Sequence, residues 1–352
     1  DAVYLTPDDR YNKFILKTND ILIQTVGSWA NNPNSIVGKV VRVPKQCDNA
    51  YLNQNIVRII PNNDLDNTYL FYALKANHFS TYCVLRGQGA ANQASITLDT
   101  IFRFKFKAHN FTAQQRIAGI LSAYDNLIEN NNKRIHILEQ MAENLYKEWF
   151  VRFRFPGYED VDFENGIPNG WKIERLSDIA DIIMGQSPES ENYNTNCEGL
   201  PFHQGVGSYG EFYLIDDVYS TKGNRIAEAN SIIFSVRAPV GRINITLNKI
   251  ILGRGVAAIN SAKGYNAYLL WMLKNQFQQE DIIGNGSIFA SVTKKELFGF
   301  KILMPNEDLI QKFDSIASGI EREMRKISLI NSNLKKQRDM LLPRLMSGKL
   351  EV

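Results

Sequence analysis

Four histidines, three cysteines and one glycine-rich hexapeptide are the residues from which this chain would have to build a catalytic or metal centre. His78, His109, His136 and His203 are scattered, and none has a cysteine or carboxylate at a metal-ligand spacing. Cys47, Cys83 and Cys197 lie far apart and read as reduced thiols of a cytoplasmic protein. The hexapeptide "GVGSYG" from Gly205 fits G-x-G-x-x-G, but "LPFHQ" precedes it and "EFYLI" follows it. A dinucleotide site needs a strand before that pattern and a helix after it, so the segment reads as a plain loop. There is no G-x-S-x-G, no Walker A loop and no Asn-Pro-Pro-aromatic signature of an amino-methyltransferase. The sequence thus offers little for catalysis, for a metal or for a cofactor.

Recognition chemistry is better supplied. Asn and Gln amides can bond adenine in two places, Arg does the same for guanine, and Ser and Tyr serve phosphates or base edges. Arg86, Gln88, Asn92, Gln93 and Ser95 lie in "RGQGAANQAS", and Asn285, Ser287 and Ser291 lie in "GNGSIFAS". His203, Gln204, Ser208 and Tyr209 lie in "HQGVGSY". Arg237 and Arg242 flank "APVG", and Ser28 with Trp29 occupies the corresponding place nearer the start. These are the candidate nucleic-acid contacts. Any one of them, taken singly, is also an ordinary turn former or solvated side chain.

The loops belong to a repeat. "GQGAANQASIT" from Gly87 and "GNGSIFASVT" from Gly284 open on Gly-polar-Gly and close on Ala-Ser, a β-branched residue and Thr. Ala94 precedes Ala290 by 196 positions, and the same offset lays "QRIAGIL" on "QKFDSIA". Earlier, "NDILIQTVGSW" from Asn19 resembles "NSIIFSVRAPV" from Asn230 at an offset of 211, so the first copy carries about 15 more residues between these blocks. A period near 200 is far too long for a solenoid and indicates two similar domains. The second copy extends forward to about Trp171, so the first is expected to lack roughly 40 residues of its front. The chain opens on Asp1 rather than Met, consistent with that expectation.

Each copy ends in a helix. Ile117, Leu121, Tyr124, Ile128, Asn131, Ile135, Leu138, Ala142, Leu145 and Trp149 follow a 4-3 spacing. So do Phe313, Ala317, Ile320, Met324, Ile327, Asn331, Leu334, Arg338, Leu341 and Leu345. Such a seam, about 50 Å long at ~1.5 Å per residue, calls for a second long helix against it. In the flush antiparallel register that sets Ile117 opposite Leu345, Asn131 falls opposite Asn331. A matched buried polar pair of this kind fixes helix register; the bland alternative is that each Asn faces solvent.

The rest reads as mixed α/β. "DILIQTV", "VGKVVRV", "NIVRII", "NSIIFSV", "GRINITL" and "GRGVAAI" are strand-like, while "NTYLFYALKANHF" and "NAYLLWMLKNQF" are helical. "GYEDVDFENGIPNGW" from Gly157 reads as a linker. Composition is that of an ordinary globular protein of 352 residues, 44% hydrophobic and 22% charged. A net charge of +3 is too small to grip DNA by charge alone, and neither demands nor excludes a nucleic-acid partner. No apolar run approaches the ~18–20 residues of a membrane span, and no signal peptide is visible.

Four stretches carry a family resemblance: "GQSP" at Gly185, "LPFHQGVGSYGEFY", "QQRIAGILSAYDNLIENNNKRIHILEQMAENLYKEWFVRF" and the tail "LKKQRDMLLPRLMSGKLEV". Over essentially its whole length the chain resembles the specificity subunit of type I restriction-modification systems. It departs from the family at the front, where the first domain lacks its opening segment. The resemblance implies an α/β (α+β) fold of two target recognition domains separated by two long antiparallel coiled-coil helices. Residues 1–111 are then the first recognition domain, 112–156 a central helical region, 157–305 the second domain and 306–352 a C-terminal helical region. It implies a non-catalytic DNA-binding subunit in the cytoplasm whose domains each read one half of an asymmetric, bipartite double-stranded site. The helices then act as the spacer, near one DNA turn of ~34–36 Å. Two methyltransferase subunits bring S-adenosylmethionine and adenine N6 methylation. Restriction subunits bring ATP- and Mg-dependent translocation and cleavage. The competing readings are a non-DNA scaffold with two ligand domains on a coiled-coil strut, an enzyme using "GVGSYG" for a nucleotide, and a fused methylase-specificity enzyme. The missing methylase motif speaks against the last.

Overall fold

A computed structural model describes residues 8–29, 35–76, 78–90, 93–282 and 291–352. The first stretch of chain forms β1 (Ile21–Gln24), β2 (Val26–Gly27), β3 (Val40–Arg42), β4 (Ile56–Ile59), α1 (Asn67–Ala76), α2 (Phe79–Arg86), β5 (Ala94–Ser95), α3 (Leu98–Phe102) and the long α4 (Phe111–Tyr146). There follow β6 (Phe163–Glu164), β7 (Ile167–Pro168), β8 (Lys172–Arg175), α5 (Leu176–Ile179), β9 (Ala180–Met184), β10 (Tyr193–Asn194), β11 (Leu200–His203), β12 (Tyr219–Ser220) and β13 (Ile226–Ala227). The remainder forms β14 (Ile232–Ser235), β15 (Ile243–Ile245), β16 (Ile250–Leu252), β17 (Val256–Ser261), α6 (Asn266–Ile282), α7 (Lys294–Phe298), β18 (Lys301–Met304) and the long α8 (Glu307–Met346). The chain divides into two compact units, residues 1–131 with 329–352 and residues 132–328, so both boundaries fall inside the long helices.

In the first unit β1 is the central strand of an antiparallel sheet ordered β3-β1-β4. Its "ILI" run is buried on both faces: Ile21 and Ile23 point into the main core, Leu22 into a small cluster with Leu16 and Val43. Helix α1 starts at Asp66, whose carboxylate accepts the Tyr69 amide at 2.8 Å. It is apolar all round, with Tyr69 to Leu74 all buried, as befits a helix enclosed by its neighbours. Ile117 and Leu121 of α4 and Leu345 and Met346 of α8 close the same core.

In the second unit the same arrangement returns with additions. Strand β14 lies between β15 and β17, and β9 extends that sheet to the order β15-β14-β17-β9. Along β14, Ile232 and Phe234 enter the large core while Ile233 enters a second one with Val256 and Ala258. Behind it lies the five-stranded sheet β10-β12-β11-β16-β13. Helix α6 repeats α1, with Ala267 to Leu273 buried. The further strands β8 and β9 come from the stretch after Trp171. Strand β18 exists as the partner of β8, with Ile302 opposite Glu174. The first unit's corresponding residues 105–108, without such a partner among the described residues, are not a strand.

The stretch read as a linker after Gly157 is more ordered than expected. It holds the hairpin β6-β7, with Phe163 opposite Pro168. Asn165 and Gly166 take positive φ angles of 52° and 78°, the two-residue turn that Asn-Gly favours.

Within each unit the two long helices run antiparallel. In the first, Asn131 Nδ2 donates to Asn331 Oδ1 at 2.8 Å, and both residues are only 4% exposed. About two turns on, Asp125 accepts from Arg338 at 2.5 Å and from the Tyr72 hydroxyl at 2.5 Å. Burial, and then this carboxylate, push the Tyr72 phenol far up. In the second unit Arg134 pairs with Glu323 at 3.4 Å, and Tyr146 and Trp149 stand edge-on to Phe313. Every seam position of both helices is buried or half-buried.

Two predictions follow from these buried polar groups. Asn131→Ala removes a partner from the buried Asn331 amide and should cost about 1–3 kcal/mol. Replacing both asparagines by Leu should recover most of that in urea unfolding, because the apolar pair leaves nothing unsatisfied. The second concerns Glu321 of α8, whose Oε1 is buried without a hydrogen-bond partner among the described residues. Burial, then the charge of Asp314, push its carboxyl up to about 8, against the pull of the Trp271 indole and the Lys274 ammonium. The folded chain therefore keeps a proton that the unfolded chain releases above its ordinary carboxylate value, and this contribution to stability is lost as pH rises toward 8. Glu321→Gln should flatten that loss, on the order of 1 kcal/mol per pH unit, in thermal unfolding compared at pH 5 and pH 8.

Candidate nucleic-acid interface

The close of the repeated phrase, Ser95–Thr97 in the first unit and Ser291–Thr293 in the second, is held by equivalent backbone hydrogen bonds. In the first unit Thr25 N donates to Asn55 O at 2.9 Å, and Ile96 N donates to Thr25 O at 2.9 Å. In the second, Val236 N donates to Gly255 O at 2.9 Å, and Val292 N donates to Val236 O at 2.9 Å. The end of the central strand is thus held between the turn that opens the next strand and the segment that closes the repeated phrase. Val26 then pairs with Ser95, and Arg237 with Ser291. The closing Thr of each phrase has its own task. Thr97 accepts the Thr100 amide as N-cap of α3, and Thr293 with Glu296 forms the capping box of α7.

On this ladder the first unit mounts a folded loop. Gln88 and Ser95 exchange backbone bonds of 2.9 and 2.8 Å, and Ser95 Oγ adds a bond to Gln88 O at 3.1 Å. Gly89 sits at φ +150°, where a Cβ would lie 2.1 Å from Gln93 O, so only glycine permits this close approach. Trp29 braces the loop from outside, its indole N–H donating to Ala90 O at 3.0 Å. In the second unit "APVG" is pinned from within: Ser235 Oγ donates to Pro239 O at 2.7 Å and accepts the Arg242 amide at 2.8 Å. Arg237 and Arg242 are exposed residues on either side of that loop. Among the described residues no group of three or more His, Cys, Asp or Glu is placed to hold a metal ion. No described helix is long and apolar enough to cross a membrane.

A family model described as the type I restriction modification DNA specificity domain matches residues 3–140 and 168–337. The chain belongs to this family. It is 31% identical to the putative type I restriction enzyme MjaX specificity subunit of Methanocaldococcus jannaschii, over 97% of this chain and 80% of that one. The MjaIX specificity subunit of the same organism is 28% identical, over 85% of this chain and 73% of that one. Among solved structures, the S subunit of a type I restriction-modification system from M. genitalium has a TM-score of 0.55 at 18% identity, covering 95% of this chain and 84% of that one. That likeness is one of fold.

Within the two specificity domains the candidate residues part company. Ser28, Trp29, Gln88, Gln93 and Ser95 are brought together on one loop edge, and Arg86 lies nearby, its guanidinium 4.0 Å from the centre of the Tyr82 ring. Arg237 and Ser291 face each other across the second ladder, and Gln204 is exposed beside them. Asn92, Asn285 and Ser287 lie outside the described residues.

His203 needs correction as a DNA contact. It is 1% exposed, its Nδ1 lies 2.8 Å from Ser208 Oγ and its Nε2 lies 2.9 Å from Asp216 Oδ1, so neither ring nitrogen is left for a base. Burial pushes the Asp216 carboxyl up, but the bonds from His203 and Asn248 outweigh it and leave the group below its ordinary range. Ser208 is turned inward by the same network, and the Tyr209 hydroxyl approaches Ile233 O at 3.4 Å. "GVGSYG" contains a single 3-10 turn at Val206–Ser208 and then the bridge Tyr209–Leu214, with no helix of the kind a dinucleotide needs.

The sequence reading passed over what lies between these loops. Gly185 N bonds Val256 O at 3.0 Å, Gln186 N bonds Leu252 O at 2.9 Å, and Gly253 and Gly255 bond His203 O and Gln204 O at 2.8 and 3.0 Å. "GQSP", "HQG" and "GRG" therefore meet at one point, with Gln186, Gln204 and Arg254 exposed. The glycines were the available signal. A Cβ on Gly255 would stand 2.2 Å from Gln204 O, and one on Gly185 would stand 2.0 Å from Gly253 O. Gly255→Ala should therefore cost about 1–3 kcal/mol and speed amide exchange at 203–206. Unchanged exchange there would show the contact to be slack.

Proposed function

We propose that this chain is the non-catalytic reading subunit of a type I restriction-modification complex, each specificity domain contacting one half of an asymmetric bipartite DNA site. The observation that carries the reading is one backbone ladder built twice with different side chains on it. A symmetric dimer reads a palindrome because its heads are identical. Two heads in one chain can offer Trp29, Gln88 and Gln93 to one half-site and Arg237, Arg242 and Gln204 to the other. His203 and Ser208 serve this reading as supports beneath Gln204.

Double-stranded DNA, two methyltransferase subunits and, in the full complex, restriction subunits are the proposed partners. S-adenosylmethionine, ATP and Mg act on those subunits, in the cytoplasm. The long helices offer docking sites for the methyltransferases: Phe111, Ile120 and Leu127 in the first unit, and Ile137, Met141 and Ile316 in the second, are exposed apolar side chains. The Asn131–Asn331 pair then fixes the register on which half-site spacing depends.

The test is to co-express the chain with the methyltransferase encoded beside it and map N6-methyladenine across the host genome. A gapped, asymmetric methylated motif is the expected result. No new methylation from an assembled complex supplied with S-adenosylmethionine would favour a scaffold instead. Exchanging residues 84–97 for the loop of another family member should change one half of the motif, and a change in both halves would sink the modular reading.

A further inference from the structure

The ladder gives the repeat a register that sequence comparison alone does not. Between the two units the offset is 211 where Gln24 opposes Ile56 and Ser235 opposes Val256 on the central strand, but 200 on the partner strand. Asn55 and Gly255 accept equivalent bonds from Thr25 and Val236. The residue before each of these acceptors is therefore structurally equivalent: Gln54 in the first unit, Arg254 in the second.

Arg254 stands out in its own surroundings. It is the one exposed residue in the run from Ile250 to Ile259. Its flanking glycines are buried, and a Cβ on Gly253 would lie 2.7 Å from Gln204 Cα. Its amide is held by Ser187 Oγ at 3.2 Å. The backbone is fixed on every side, while the guanidinium has no bonding partner among the described residues. Gln54 holds the equivalent place in a more open turn, between the exposed Asn53 and Asn55. Its turn is set by Asn53 Oδ1 accepting the Asn55 amide at 2.9 Å, its side chain is exposed, and its amide group has no partner among the described residues. Both lie one residue before a carbonyl bonded to the ladder, next to the pairs Val26–Ser95 and Arg237–Ser291 respectively.

We propose that Gln54 and Arg254 are a matched pair of base-reading residues, one per half-site, presented at the same point of each domain and differing in chemistry. A fixed turn that projects one polar side chain is the means by which a base edge is read in register. A Gln amide matches adenine N6 and N7, and an Arg guanidinium matches guanine O6 and N7. The inference rests on the reading above, that the loop edges contact DNA.

The experiment uses the assembled complex with its methyltransferase subunits and the N6-methyladenine map. Arg254→Gln and Gln54→Arg are made separately, with Arg254→Ala beside them. Unchanged thermal midpoints and co-elution with the methyltransferase establish that each variant is folded and assembled. Arg254→Gln should relax or change one base pair in one half of the motif, with methylation of parental sites falling about 5- to 150-fold against competitors. Gln54→Arg should do the same in the other half only. A parental motif kept intact by all three variants overturns the proposal while leaving the two-headed reading in place. So does a uniform loss over all sequences with a salt slope smaller by about one, the mark of a phosphate contact. A parental complex that writes no gapped motif overturns both.

Discussion

Neither core closes without helix segments drawn from distant parts of the chain. Ile117 and Leu121 share the first core with Leu345 and Met346, while Tyr146 and Trp149 share the second with Phe313. The register of α4 against α8 is therefore the constraint on which both domains depend. An apolar seam with 4-3 spacing does not settle that register, because it repeats every seven residues and a slip by one heptad restores similar contacts. The polar pairs do settle it. A slipped register would bury Asn131 away from Asn331 and leave Asp125 without Arg338. A buried Asn amide that loses its partner costs about 1–3 kcal/mol, and the half-buried Asp125 would lose its ion pair. Stability comes from the apolar positions and uniqueness from the polar ones.

The domains divide their labour in a similar way. The bonds that place each recognition loop run between backbone atoms, so they are indifferent to most side chains. Gly89 supplies a tight bend in the first unit, and Thr97 and Thr293 end the segment by capping the helix that follows. What lies between can vary without loss of the ladder. Side chains directed inward, such as Ser235 and His203, hold the platform. Those directed outward are free to differ, and between the two copies they do.

Much of this was written in the sequence. The long helices were legible because a 4-3 pattern held over four turns and more admits no other structure, and Asn131 opposite Asn331 followed from the flush register. Strands β1 and β14 and helices α1 and α6 were legible as short apolar runs bounded by Asn and Gly. The hairpin at Phe163–Pro168 carried its signal in Asn165-Gly166, but four residues of strand have no periodicity to display. The burial of His203 had no local signal at all, since its partners Ser208 and Asp216 are fixed by the packing of β11. The equivalence of Gln54 and Arg254 was hidden because the offset changes inside the domain, and only strand pairing recovers it.

The small net charge of +3 bears on how such a subunit works. Affinity for a duplex grows with the number of phosphates neutralised and collapses with salt accordingly. A chain with little excess charge therefore holds DNA weakly on its own, and most of the grip in the proposed complex belongs to its partners. That separation is useful. In the proposed complex, discrimination between bases would rest on a few amides and guanidinium groups projecting from turns held by backbone hydrogen bonds, each worth a modest factor. Exchanging one such side chain would then change which sequence is chosen without dissolving the proposed complex that acts on it. Two unlike heads on one chain can then diverge independently, each constrained by its own ladder rather than by the other.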